Sequence, residues 1–173
     1  MLRLKGEQVY LRALEPGDLD FLYQLENNPE VWEISGTITP YSKHILKSYL
    51  DNAHRDIYEV KQLRLCICTD KNALIGFVDL FDFDPKNRRV GVGIVLVADE
   101  RDKGVGSETL RLVCDYAFSA LDLRQLYANV TADNERSLHL FRKLGFLQVG
   151  IKKDWIFFNG SYKDEILFQK LRT

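Results

Sequence analysis

Polar and apolar positions along the chain follow two periods, and the periods separate strands from helices. Val90-Gly91-Val92-Gly93-Ile94-Val95-Leu96-Val97 is apolar and β-branched, bounded by Arg88-Arg89 and Asp99-Glu100, and predicts a buried strand. Leu110, Val113, Cys114, Ala117, Phe118 and Leu121 fall at i, i+3, i+4, i+7, i+8 and i+11, one stripe at helical period. Residues 9–13 read as a first strand. Leu14-Glu15-Pro16-Gly17-Asp18 is a turn into a helix with Asp18 as candidate N-cap, and Asn27-Asn28-Pro29 ends that helix. Residues 31–41 show no clean period and read as a loop. Residues 43–54 read as a second helix. Strands at 63–69 and 74–83, joined by Asp70-Lys71-Asn72, lead through Asp84-Pro85-Lys86-Asn87 into the Val90 strand as an antiparallel meander.

The helix over 107–121 is followed by a strand at 125–131. A strand-helix-strand unit of this length implies a parallel pair. Residues 134–144 form a last helix, with Asn134 or Asp133 as N-cap and Gly145 just past its end. Strands at 148–158 and 163–170 flank Asn159-Gly160, a hairpin signal.

Composition narrows the class. A chain of 173 residues, 46% apolar and 28% charged, suits one soluble globular domain spanning residues 1–173. Its net charge of −1 gives no electrostatic case for nucleic acid or a membrane surface. Cys66, Cys68 and Cys114 lie in apolar segments with no histidine at zinc spacing, so they read as reduced core residues, and no metal is expected. Residues 1–10 hold no apolar signal region and no apolar run is long enough to span a bilayer, so a cytoplasmic protein is expected.

Chemistry concentrates between the Val90 strand and the helix after it. The loop reads Arg101-Asp102-Lys103-Gly104-Val105-Gly106-Ser107. Free N–H groups at a helix N-terminus attract anions, and two glycines let a pyrophosphate approach the backbone. The same residues also suit a plain tight turn.

Arg101-x-x-Gly104-x-Gly106 resembles the Arg/Gln-x-x-Gly-x-Gly/Ala signature of the GNAT acetyltransferase superfamily, whose loop amides hold the pyrophosphate of coenzyme A. Asn134-x-x-Ser137-x-x-Leu140-Phe141-x-x-x-Gly145-Phe146 resembles that family's second signature, on the helix after the next strand. The likeness runs from Val9 to Lys170. It implies an α/β fold with a mixed, mostly antiparallel sheet of about seven strands, splayed at a central parallel pair, and about four helices. It further implies acetyl-CoA as cosubstrate. The pantetheine arm would lie against Ile94, Val95 and Leu96, with Asn134, Ser137, Phe141 and Lys143 on its other side.

Acetyl transfer to an amine needs a proton acceptor, a donor for the carbonyl oxygen and a leaving thiolate. Many family members supply the thiolate with a tyrosine seven positions after the asparagine of the second signature. Phe141 stands at that position and cannot donate a proton. Tyr127 or Tyr116 could stand in, or the thiolate could leave unaided.

On the acceptor side, Phe77-Val78-Asp79-Leu80-Phe81-Asp82-Phe83-Asp84 carries three carboxylates, and strand alternation puts Asp82 and Asp84 on one face and Asp79 on the other. Asp82 is the expected amine contact or water-relay base, with Asp79 also binding substrate. Trp32 in the 31–41 stretch either lines the acceptor pocket or pins a surface loop. The acidic strand resembles the Val-Glu-Leu-x-Glu stretch of bacterial spermidine N-acetyltransferases, and the Trp155–Asp164 hairpin resembles theirs too. Their acidic loop after the first helix is replaced here by Ile34-Ser35-Gly36-Thr37-Ile38, and their ligand-strand glutamate by Val90-Gly91-Val92. The expected acceptor is a polyamine or diamine such as spermidine. The alternatives are a protein N-terminus, as in ribosomal-protein acetyltransferases, or a coenzyme A-binding module with little activity. A homo-oligomer is left open.

Overall fold

The computed structural model describes residues 4–173, so the start of the stretch read for a signal region lies outside the described residues. Seven strands, β1 (Val9–Arg12), β2 (Leu63–Thr69), β3 (Leu74–Asp84), β4 (Arg89–Leu96), β5 (Gln125–Thr131), β6 (Leu147–Phe158) and β7 (Ser161–Leu171), form one sheet in the order β1-β2-β3-β4-β5-β7-β6. Only β4 and β5 run parallel; every other pairing is antiparallel. The parallel pair holds for three steps, Arg89 to Gln125, Val90 to Leu126 and Gly91 to Tyr127, and then the strands part. The splayed sheet implied by the resemblance is therefore present, with the opening beginning at Val92.

Strand alternation explains why β2 is apolar at nearly every position. Leu65 and Ile67 join one core with Val90, Val92, Leu126 and the buried stripe of α5 (Val105–Ser119). Cys66 and Cys68 face the other way, into a second core with Leu22, Leu25, Val31, Leu46 and Phe77. Both sheet faces are covered, so both sides of the strand must be apolar. All three cysteines are free and buried, and burial pushes the Cys66 and Cys114 thiols up to about 12.

The described residues hold six α-helices rather than about four: α1 (Leu19–Glu26), α2 (Pro29–Ser35), α3 (Lys43–Asp51), α4 (Ile57–Val60), α5 and α6 (Glu135–Lys143). Helices α2 and α4 are too short to show a period. Their caps were nevertheless written in the sequence. The Asn28 side chain accepts the Glu30 N–H, Pro29 opens the first turn, and Gly36 closes the helix at φ 71°. The same Asn-Pro pair reads equally as the end of one helix and the start of the next. Asp56 caps α4 in the same way.

Asp18 occupies the position before α1 but makes no capping bond. Its carboxylate instead takes two bonds from the Arg12 guanidinium and one from the Glu15 N–H. Asn134 does cap α6, accepting the Ser137 N–H at 3.3 Å, and Gly145 follows the helix at φ 84°.

Strict alternation fails along β3. Phe81 pairs with Gly91 and Asp84 with Arg89, so one extra residue bulges out of β3, and Asp82 takes a left-handed φ of 49°. Asp82 and Asp84 therefore do not share a face through simple alternation.

Candidate active site

Beyond Gly91, β5 offers no partner to β4, and the backbone of Val92 to Leu96 is open on that side to a peptide-like ligand. A cavity of about 440 Å³ fills the opening. Its walls include Gly93, Ile94 and Val95 of β4, Asn129 and Thr131 of β5, Asn134 and Ser137 at the start of α6, and Phe141 in its last turn. Five residues expected to hold the pantetheine arm thus meet on one surface. Phe141 is only 3% exposed, with its ring edge-on to Phe146 and stacked on Phe168, so it belongs as much to the core as to the cavity.

At the far end of β4 a cavity of about 290 Å³ is lined by Leu96, Arg101, Asp102, Gly104, Gly106, Ser107 and Lys143. Gly104 sits at φ 83°, which suits glycine, and so turns the loop into the N-terminus of α5. A Cβ on Gly106 would meet Leu140 at 3.4 Å, inside the space a ligand would use. Arg136 and His139 also line this cavity, and the sequence reading missed them. Their spacing from Lys143, one and two helical turns back on α6, was the available signal. Arg101, Arg136 and Lys143 outweigh Asp102, which receives the Arg136 side chain at 3.3 Å. The surplus of positive charge and the free N–H groups of α5 fit a pyrophosphate. Val105 is buried under the loop and Lys103 pairs with Glu100, so neither lines the cavity.

The side of the sheet expected to take the acceptor faces α1, α2 and α3. A cavity of about 400 Å³ lies between these helices and β2–β3, and it shares five residues with the splay cavity: Glu26, Ser35, Arg64, Asp79 and Phe81. Arg64 is the hinge of this wall. Its Nε and Nη2 donate to Asp79 at 2.7 and 2.9 Å, its Nη1 donates to Glu26 at 2.5 Å, and its guanidinium lies 4.9 Å from the centre of the Phe77 ring. Burial works to lower the Arg64 pKa, but the two carboxylates outweigh it and hold the cation firmly.

Asp79 pairs in register with Gly93, two residues past the last β4–β5 pair, and so stands at the mouth of the splay. Asp82 lines neither cavity: the bulge carries it out to an exposed position. The carboxylate at the splay is Asp79, not Asp82.

Trp32 is also off both walls. Its indole N–H donates to the Glu26 carbonyl at 2.9 Å and ties α2 to the end of α1. The surrounding stretch does reach the site through Glu33, Ile34, Ser35 and Gly36. Tyr127 lies opposite Gly91, just before the splay, with its ring edge-on to Phe81 at 6.0 Å. Phe81, rather than Tyr127, forms the cavity wall, and Gly91 permits this, since a Cβ there would strike the Phe81 ring at 2.3 Å. Burial, with the nearby Asp82 charge, raises the Tyr127 pKa and keeps its phenol protonated.

Glu33 and Glu165 complete the acidic lining of the splay cavity. Lys163 bridges Glu33 and Asp133, and Lys152 pairs with Glu165 at 2.8 Å. No group of three or more metal-ligating side chains occurs among the described residues, and no described helix is long and apolar enough to cross a membrane.

Comparison with known proteins agrees with this geometry. The chain is 33% identical over 162 residues to a spermidine N(1)-acetyltransferase of Escherichia coli (strain K12), covering 93% of this chain and 84% of the relative. A crystal structure of spermidine N-acetyltransferase from Vibrio cholerae in complex with CoA and spermine superposes with a TM-score of 0.87 at 27% identity, covering 96% of each chain. A dodecameric structure of the Vibrio cholerae enzyme superposes with a TM-score of 0.81 at 29% identity, covering 96% of this chain and 95% of that one. The family model of the acetyltransferase (GNAT) domain matches residues 8–147, which hold both signatures and the splay between them. The chain belongs to the GNAT acetyltransferases and is an N-acetyltransferase that uses acetyl-CoA.

Proposed function

We propose that the acceptor is the primary amine of a polyamine or diamine, bound between α1, α2, α3 and the β2–β3 hairpin. The observation that carries this reading is the position of Asp79, a carboxylate on the walls of both cavities and opposite Gly93 where β4 loses its parallel partner. A cationic amine entering from the helical side meets Asp79 before it reaches the thioester. Asp79 stays charged and holds the ammonium that the acceptor keeps, the amine contact expected of Asp82, while the attacking amine gives its proton to solvent water. A free backbone N–H of β4 beyond Gly91 serves the developing oxyanion.

No side chain is assigned to protonate the leaving thiolate. A thiol is roughly two units more acidic than an alkylammonium, so the thiolate is the better leaving group and departs unaided. The carriage of the acetyl group on Ile94, Val95 and Leu96, with the pyrophosphate on Arg101, Gly104, Gly106 and Ser107, belongs to the same proposal.

The test is release of free coenzyme A from acetyl-CoA with a panel of diamines, polyamines, monoamines and N-terminal peptides. Diamine or polyamine turnover supports the reading. Turnover confined to peptides overturns the acceptor, and no turnover with any acceptor overturns the activity.

Self-association through β6 is part of the reading. This edge strand exposes Leu147, Val149, Ile151, Trp155 and Phe157, a larger apolar row than an isolated edge tolerates. The dodecameric relative supports it. Sedimentation should show an oligomer that Trp155→Lys with Phe157→Lys converts to monomer.

A further inference from the structure

Three charged side chains line the cavity of about 400 Å³: Glu26, Arg64 and Asp79. Two carboxylates and one guanidinium leave it a single net negative charge. The remaining walls are apolar, aromatic or neutral, among them Leu22, Tyr41, Ile45, Tyr49 and Leu80. Arg64 cannot move aside at low cost. Its side chain is 18% exposed, it holds both acids at once, and the Phe77 ring lies against it.

We infer that Arg64 is the specificity-determining residue of the acceptor site, fixing its charge so that it suits an amine with one remote ammonium, a diamine, over acceptors with none or two. The inference rests on the proposal that this cavity receives the acceptor. An amine must be neutral to attack the thioester, so the charge the wall senses is carried by the rest of the molecule. A diamine then presents one ammonium to one net negative charge, and its methylene chain lies along the apolar wall. Spermidine brings a second remote ammonium that Arg64 repels. A monoamine leaves the wall charge without a partner.

Arg64 also acts as a positioning residue. Its two-point grip fixes the Asp79 carboxylate, and a lysine could restore the charge but not that geometry.

The experiment compares kcat/KM for butylamine, 1,4-diaminobutane and spermidine in the full-length protein. Wild type should favour the diamine. Arg64→Gln makes the wall more negative and should raise the spermidine-to-diamine ratio by about tenfold, the scale of one charge-assisted contact. Glu26→Gln neutralises the wall and should raise the butylamine-to-diamine ratio by a similar factor. It also carries the test if Arg64→Gln does not fold. Arg64→Lys should hold the wild-type ratios while kcat falls.

Folded Arg64→Gln and Glu26→Gln variants with wild-type ratios would overturn the inference. Failure of the underlying proposal looks different: Asp79→Asn would then leave KM for every amine unchanged. If Asp79→Asn raises KM while the charge ratios stay fixed, the acceptor site stands and the role of Arg64 alone falls.

Discussion

Glu108 sits in the first turn of α5 with its carboxylate 5% exposed. Oε1 accepts the Glu7 N–H, and Oε2 accepts those of Gln8 and Val9, each at 2.8 Å. One side chain thus ties the start of the chain to the helix whose N-terminus faces the proposed pyrophosphate site. Glu108→Ala removes all three bonds. Glu7 and Gln8 are exposed, so water can take their N–H groups, but Val9 is 2% exposed and its N–H is left buried without a partner. An orphaned buried donor costs about 1–3 kcal/mol, and the lost charge-assisted bonds and packing bring the total to about 3–4 kcal/mol. For a chain of this length that lowers Tm by roughly 6–16 °C.

The pH dependence has a definite sign. Burial works to raise the Glu108 pKa, but the three N–H bonds and Arg111 outweigh it, so the folded value lies below the ordinary one. Its contribution to stability is therefore complete above the ordinary carboxylate pKa and is lost as pH falls through the folded value. Asp18 behaves in the same way. Burial is opposed there by Arg12 and the Glu15 N–H, so acid unfolding persists in a Glu108 variant but over a reduced span. Thermal melts of wild type, Glu108→Ala and Glu108→Gln from neutral to acidic pH check this. Glu108→Gln keeps the shape but turns an amide N–H₂ toward one of the donors, and should lose about 2 kcal/mol. Gly6→Ala should destabilise through the same contact, since its Cβ would lie 2.4 Å from the Glu108 carboxyl carbon. A Glu108→Ala melt within about 2 °C of wild type would refute the reasoning.

Four further outcomes follow from the structure. Gly104→Val should abolish acetyl-CoA binding by calorimetry while the protein stays folded, because a β-branched residue at φ 83° is strained and fills the loop beside α5. Asp79→Asn should raise KM for the best amine by about tenfold in steady-state kinetics with acetyl-CoA affinity unchanged, whereas Asp82→Asn should keep wild-type constants. Phe141→Leu should lose about 1–2 kcal/mol through poorer packing against Phe146 and Phe168, with the pH–rate profile unchanged in shape. Thr109→Val should gain about 1 kcal/mol in a denaturant melt, because the buried Thr109 hydroxyl has no partner and valine matches its shape.

The sheet was legible because its signals are local. Alternating runs, an Asn159-Gly160 hairpin with both residues at positive φ, and one long amphipathic helix between two strands each declare themselves within a dozen residues. The loop proposed to hold the pyrophosphate was legible for the same reason: seven consecutive residues build it, around two glycines and a helix N-terminus. Helices α2 and α4 escaped because two turns or fewer carry no period, and the edge of α6 that adds Arg136 and His139 had to be read off Lys143.

The proposed acceptor wall is different in kind, since five elements contribute to it and two bulges decide which residues meet. Arg64 and Asp79 are cross-strand partners, but the register of β2 against β3 shifts between Ile67 and Cys68. Counting back from the hairpin turn without that shift pairs Arg64 with Val78, on the opposite face. The second bulge, after Phe81, turns Asp82 outward by the same one-residue mechanism. Two slips of one residue thus move the expected carboxylate out of the site and bring an arginine in. A glycine stands beside each slip, Gly76 opposite Ile67 and Gly91 opposite Phe81, but in an apolar strand a lone glycine does not tell which residue is left unpaired. Chain order and composition determine that an acidic strand borders β4; only the register determines which acid lines the cavities and which cation stands beside it.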